Sequence, residues 1–136
     1  MKKFTLLILI LIISFSCREE IIEPDNMVGN INEPIQLTER NAYTFLLNAR
    51  NLKMNISVPI YFSSSRTRFN VRLIDYESGY TNISVQDLSK IERFRYFAAE
   101  EVPYHTELLD GYIPTIININ TDNFSGKIKI EFRKIL

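Results

Sequence analysis

The residues of this chain that could do chemistry are few, and they form no familiar catalytic motif. His105 is the single histidine, and its neighbours Tyr104, Thr106 and Glu107 complete no nucleophile arrangement. A general base needs a positioned proton partner, so a lone histidine in a connecting segment is expected to be solvated. One histidine and one cysteine, Cys17, also leave too few ligands for a zinc site. We therefore predict no catalytic residue, no metal site and no cofactor.

Acidic residues are concentrated in the predicted connecting segments: Glu100, Glu101, Glu107, Asp110 and Asp122. Two facing carboxylates could serve a glycosidase or hold calcium. The Asp-x-Asp-x-Asp-Gly spacing of a calcium loop does not occur, and the chain has only four glycines, too few for a glycine-rich phosphate loop. A hydrolase that uses loop carboxylates is the enzymatic alternative.

Tyrosines form the other candidate constellation. Tyr76 and Tyr80 flank a predicted turn at residues 77–79, and Tyr104 and Tyr112 lie in a long connecting segment. An exposed ring beside hydrogen-bonding groups can bind a sugar or a peptide partner. Buried corner tyrosines instead tie loops to a sheet. Both interpretations remain open, and these four tyrosines are the candidate ligand-binding residues.

The N-terminus has the three parts of a secretory signal peptide. Met1-Lys2-Lys3 is basic, residues 4–13 are apolar apart from Thr5, and Ser14-Phe15-Ser16 precedes Cys17. The apolar stretch is shorter than the roughly 20 residues that a membrane-spanning helix needs. Residues 1–16 are therefore expected to be removed, which makes Cys17 the first residue of the mature chain.

The Ser16-Cys17 junction after a short apolar segment resembles the lipobox of bacterial lipoprotein precursors, in the relaxed form typical of Bacteroidota. The resemblance covers about the first 20 residues. It implies cleavage between Ser16 and Cys17, a diacylglyceryl group on the Cys17 thiol, and acylation of the new amino group with a fatty acid such as palmitate. Membrane lipid would then be the first partner of this protein. Cleavage by the ordinary signal peptidase, leaving an unmodified Cys17, is the alternative.

Arg18-Glu19-Glu20 resembles the charged signal that directs such lipoproteins to the outer face of the outer membrane, although a solvated tether has the same composition. The resemblance implies a lipid-anchored location in the bacterial outer membrane, either on the cell surface or facing the periplasm. Residues 17–32 have the composition of a flexible acidic linker.

Charge and cysteine content narrow the function further. Without Lys2 and Lys3 the mature chain has 14 basic and 16 acidic residues, a net charge of −2. No broad basic patch and no nucleic-acid partner are predicted. A single cysteine excludes an intrachain disulfide, so residues 33–136 must form a domain that is stabilised by packing alone.

That domain is predicted to be all-β, because apolar residues recur with period two. Residues 43–49, 54–62, 69–73, 83–85 and 128–132 all show this alternation. Alternation with one polar face is typical of antiparallel sheets. Residues 77–79 and 122–126 predict hairpin turns, and residues 100–112 an irregular segment. We predict an antiparallel β-sandwich of immunoglobulin-like or jelly-roll topology, with about seven or eight strands.

The sequence thus favours a non-catalytic surface module that binds a glycan or an envelope protein. The hydrolase and a purely structural envelope component are the alternatives.

Overall fold

The computed structural model describes residues 30–136. This part of the chain forms six strands: β1 (Ile35–Glu39), β2 (Ala42–Pro59), β3 (Arg66–Gln86), β4 (Glu92–Ala98), β5 (Val102–Asp110) and β6 (Ile116–Lys134). All strand pairs are antiparallel, in the order β1-β2-β6-β3-β4, and β5 pairs with the first part of β3. The prediction of an all-β antiparallel fold is confirmed. Within residues 30–136 no helix is long and apolar enough to cross a membrane.

Three strands are unusually long because they bend and do not turn back. β2, β3 and β6 have 18, 21 and 19 residues. Their pairings shift in register between Ala49 and Met54 of β2 and between Ile74 and Tyr80 of β3. Such shifts mark β-bulges, which bend a strand and increase its twist.

Asn51, Asp75 and Asn123 adopt left-handed backbone conformations at these bends, with φ of 47°, 52° and 47°. Asn and Asp tolerate this conformation better than other residues that carry a side chain. The predicted hairpins at residues 77–79 and 122–126 are therefore wrong: both segments are bends inside β3 and β6. This explains why the described strands number six.

The bends divide the sheet into two halves. The first half contains β1, β5 and residues 42–49, 66–74 and 126–134; the second contains β4 and residues 52–59, 80–86 and 116–121. The predicted irregular segment 100–112 is also wrong in its larger part, because Val102–Asp110 pairs with β3 as strand β5.

The inner faces of the two halves pack against each other in a sandwich-like core. The Phe69 ring of the first half lies 4.9 Å from Phe94 and 5.3 Å from Tyr96, both on β4 of the second half. Phe69 also lies 5.1 Å from Phe132 on β6. Most fully buried members of this core alternate along the strands as predicted: Tyr43, Phe45, Leu47, Phe69, Leu73, Ile83, Val85, Ile117, Ile119, Ile128, Ile130 and Phe132. Phe124, at the bend of β6, is fully buried as well.

The turn between β3 and β4 depends on one carboxylate. Asp87 Oδ1 accepts hydrogen bonds from the backbone N–H of Ser89 at 2.8 Å and of Ile91 at 3.2 Å. Asp87 Oδ2 accepts from Arg93 Nε at 2.6 Å. The hydrogen bond from Arg93 is the main cause that lowers the pKa of Asp87 below its usual value of 3.8.

We predict that this turn makes the stability of the protein acid-sensitive. Because the folded pKa of Asp87 is lowered, its ionisation stabilises the fold above pH 3.8, and this contribution is lost as the pH falls through the lower folded value. In Asp87→Asn the amide oxygen can still accept from the backbone, but the charge is absent. The difference in melting temperature between wild type and Asp87→Asn should be largest at neutral pH and should shrink at pH 3. An equal difference at both pH values would contradict this role.

Candidate functional site

Positive charge is concentrated on the outer face of the first half. Three directly opposed pairs of β3 and β6 lie on this face: Arg68 with Arg133, Asn70 with Glu131, and Arg72 with Lys129. Two of the three pairs therefore join like charges, which is unfavourable in a sheet by a few tenths of a kcal/mol to about 1 kcal/mol. We call these six residues the cationic face.

A cleft of about 420 Å³ opens on this face. It is lined by Asn70, Val71, Arg72, Pro103, Tyr104, Lys129 and Glu131. Lys129 is 7% exposed, whereas the Tyr104 side chain at the rim is 68% exposed. The cleft thus combines an embedded cation with an accessible aromatic ring.

A bulge in β5 places the aromatic ring. The register moves from Val71 opposite His105 to Leu73 opposite Val102, so Pro103 and Tyr104 both lie opposite one residue of β3. A bulge of this kind bends the strand and changes the direction of its side chains, and here Pro103 and Tyr104 both line the cleft. Pro103 suits the position, because a proline in a sheet is tolerated at edges and bulges.

Hydrogen bonds fix the polar groups of the cleft. Asn70 Oδ1 accepts from Thr106 Oγ1 at 3.0 Å and from the Tyr104 hydroxyl at 3.5 Å. Glu131 Oε1 lies 3.5 Å from Lys129 Nζ and accepts from Arg133 Nη2 at 3.4 Å. One carboxylate of the cationic face is thus shared by two cations.

The four tyrosines predicted from the sequence do not converge. Tyr104 alone among them lines the cleft. The partly buried Tyr76 donates a hydrogen bond from its hydroxyl to the Gly79 carbonyl at 2.9 Å. It therefore acts as a corner tyrosine that ties the bend to the sheet. Tyr80 lies on the other half of the sheet, with its ring 5.0 Å from Phe97.

Tyr112 packs against the core, and its hydroxyl has no hydrogen-bond partner among the described residues. Burial raises the pKa of Tyr112 to about 12, and the negative charge of Glu107 acts in the same direction. A phenol in this environment stays neutral throughout the physiological pH range.

The loop acids that could have served a hydrolase lie in separate places. Glu101 accepts hydrogen bonds from the backbone N–H of Asp75 and Tyr76 at 3.1 and 3.3 Å. Asp110 Oδ2 lies 3.8 Å from Arg66 Nε. The cleft is lined by one carboxylate, that of Glu131. Within residues 30–136 no cluster of three or more His, Cys, Asp or Glu side chains could hold a metal ion.

His105 lies in strand β5 and is half-buried, so the prediction of a solvated loop histidine is wrong. Its ring stacks on Tyr96 of β4 at 4.8 Å and 29°, and Nε2 lies 3.5 Å from Glu107 Oε2. His105 thus helps to join β5 to β4 at the side of the sandwich.

Sequence reasoning missed Asn70, Arg72, Lys129 and Glu131 as site residues. Their signal was present in the outward positions of two alternating strands. It could not be interpreted without knowing that β3 and β6 are neighbours. Ser16 and Cys17, the predicted cleavage and lipidation residues, lie outside the described residues.

Comparison with known proteins identifies no relatives by sequence. No protein-family model and no curated protein matches the chain. Among solved structures, the enzymatically active domain of bacteriophage CBA120 tailspike protein 4 is similar over 80% of this chain and 18% of its own, with a TM-score of 0.43 and 10% identity. The chain thus corresponds to under a fifth of that protein's length, and a likeness of this extent identifies neither family nor function.

Proposed function

We propose that this protein is a lipid-anchored, non-catalytic binding module of the bacterial outer membrane. The short apolar segment ending in Ser16-Cys17 supports an acylated Cys17, and Arg18-Glu19-Glu20 supports exposure at the cell surface. Two or more acyl chains hold a protein on a membrane durably, whereas one chain binds only marginally. Residues 17–32 then form the tether between the lipid and the β-domain.

The ligand of the cleft is a glycan that carries acidic groups. The observation that carries this proposal is the opposition of Arg72 and Lys129, two cations that both line the cleft. Directly opposed like charges are unfavourable in a sheet, and an anionic ligand that contacts both side chains would reduce this cost. A carboxylate also forms short, strong hydrogen bonds with guanidinium and ammonium groups.

The rim of the cleft favours a sugar over a bare anion. The exposed Tyr104 ring offers a flat apolar surface, and the Asn70 amide beside it offers hydrogen bonds. Small-molecule sites combine apolar lining with a few placed polar groups in this manner. Because Lys129 is embedded and Asn70 is already held by Thr106, little side-chain freedom is lost when the ligand binds.

Truncation of the cleft ring is the direct test. Tyr104→Ala should weaken binding of the full-length protein to an acidic polysaccharide, for which polygalacturonate is the probe, by about tenfold, since a stacked ring contributes about 0.5–1.5 kcal/mol beyond its buried area. Tyr61→Ala is the matched control, because Tyr61 is 66% exposed and does not line the cleft. Binding is measured on a glycan array and by calorimetric titration.

Salt dependence separates the charge contribution from the ring contribution. Lys129→Met keeps most of the side-chain volume and removes the charge, so the affinity for polygalacturonate should fall and should depend less on salt than in the wild type. If Tyr104→Ala and Tyr61→Ala bind alike, the cleft is not the site. If the protein binds acidic proteins and no acidic glycan, the glycan proposal is wrong and the partner is a protein.

A further inference from the structure

The outer face of the second half is an array of amide and hydroxyl side chains. The pairing of β2, β6, β3 and β4 aligns Asn55, Asn120, Asn82 and Phe97 in one row across the strands. The adjacent row contains Ser57, Asn118, Ser84 and Arg95. Directly opposed residues of antiparallel strands point to the same side of a sheet. We call these two rows the amide face.

The amide face carries an unsatisfied acceptor. Asn82 Oδ1 is shielded from solvent and has no hydrogen-bond partner among the described residues. Polar atoms that lose water without gaining a partner are unfavourable, and they are rare in folded proteins. Asn82 lies at the centre of its row between the exposed Asn120 and the exposed Phe97. The amide nitrogen of Asn82 is not among these shielded atoms, so Asn82 can meet a ligand as a hydrogen-bond donor.

Two aromatic rings lie at one end of the first row. Phe97 is 58% exposed, and the Tyr80 ring lies 5.0 Å from it at an angle of 33°. An exposed phenylalanine at a sheet edge offers apolar area to a flat partner such as the face of a sugar ring. Amides beside the ring donate and accept hydrogen bonds at once, which matches hydroxyl groups.

The charges of the amide face are largely compensated. Its Arg95 binds the Glu92 carboxylate through two hydrogen bonds of 2.9 Å each. The first row contains three amides and one phenylalanine and has no charged member. Charge complementarity therefore selects an uncharged partner here, because a charged one would lose hydration without gaining an opposite charge.

We infer that the amide face is a second binding site, which takes an uncharged polysaccharide lying across β2, β6, β3 and β4. Neighbouring strands are about 4.8 Å apart, close to the length of one sugar ring, so successive sugars meet successive amides. The Phe97 ring binds the sugar at the β4 edge. The site is separate from the cleft, which lies on the outer face of the other half.

Native electrophoresis in gels that contain a polysaccharide tests this inference with the full-length protein in non-ionic detergent. The probes are hydroxyethyl cellulose and galactomannan as uncharged chains, with polygalacturonate for comparison. At least one uncharged probe should retard the wild type. Asn82→Ala, Asn120→Ala and Phe97→Ala should each weaken that retardation about fivefold, the effect of one lost hydrogen bond or ring contact. Tyr61→Ala, which truncates an exposed ring elsewhere, should not change it.

The outcomes distinguish this inference from the proposed function. No retardation by either uncharged probe, or retardation that all three variants retain, overturns the amide face as a binding site. Retardation by polygalacturonate alone, lost in Tyr104→Ala, overturns it too, although the cleft proposal then stands. Because Asn120 and Phe97 are exposed, their variants should keep the melting temperature of the wild type, so their loss of binding cannot be ascribed to unfolding.

Discussion

Cys17→Ser is expected to transfer the protein from the membrane fraction almost completely to the soluble fraction. The sequence offers one thiol for the lipid, so the substitution removes the diacylglyceryl group and the amino-terminal acylation that follows it. Ser14-Phe15-Ser16 still fits the ordinary signal peptidase, whose cleavage would release the chain from residues 1–16. Each buried methylene contributes about 0.8 kcal/mol to membrane binding, so the loss of two or three chains abolishes a stable attachment. Fractionation of labelled cells, with fatty-acid incorporation and the intact mass, measures the change.

A double variant, Glu19→Ala with Glu20→Ala, is the matched control for the anchor. It keeps Ser16 and Cys17, so acylation and membrane attachment should persist. Exposure to externally added protease should fall if these acids direct the protein to the surface. Membrane association that is unchanged in Cys17→Ser would contradict a lipid anchor at this residue.

Gly79→Ala is expected to destabilise the fold by about 2–5 kcal/mol, through left-handed strain and overlap with a fixed neighbour. Gly79 has φ of +76°, and a Cβ placed on it would overlap the backbone of Asp122 and Asn123 in β6. Backbone atoms of a paired strand cannot move aside as a flexible side chain can. Since whole domains are stable by about 5–15 kcal/mol, this single methyl group endangers folding.

Gly111→Ala separates the strain of the left-handed backbone from the steric overlap. Gly111 also has positive φ, at +87°, but a Cβ there would meet no atom within 4 Å. Gly111→Ala should therefore lower the free energy of unfolding only through backbone strain, by about 1–2 kcal/mol. Denaturant unfolding of both variants measures the difference. Equal losses of stability would contradict the close contact between β3 and β6 at the bend.

The strands were predictable and the bends were not, for a physical reason. Alternation of apolar residues directly reflects which face is buried, as at Phe69 and Phe132, so it identifies strands without knowledge of their neighbours. Asn, Asp and Gly favour positive φ both in hairpin turns and in bulges. Whether β3 reverses or continues past Gly79 is decided by its pairing with β6, a distant segment.

The cationic face was hidden by the near-neutral net charge. Its cations alternate with core residues on two strands that are about 60 positions apart in the chain. Each strand alone has the composition of an ordinary solvated face. Only their adjacency places Arg72 opposite Lys129 and makes these scattered charges a candidate site.

Hydrogen exchange of the full-length protein, with and without oligogalacturonate, tests the central claim most directly. If the cleft binds an acidic glycan, backbone amides near Tyr104 in β5 and near Lys129 and Glu131 in β6 should exchange more slowly when the ligand is present, and exchange in β1 should not change. Equal exchange in β5 and β6 with and without a ligand shown to be bound would contradict the claim that this cleft is the binding site.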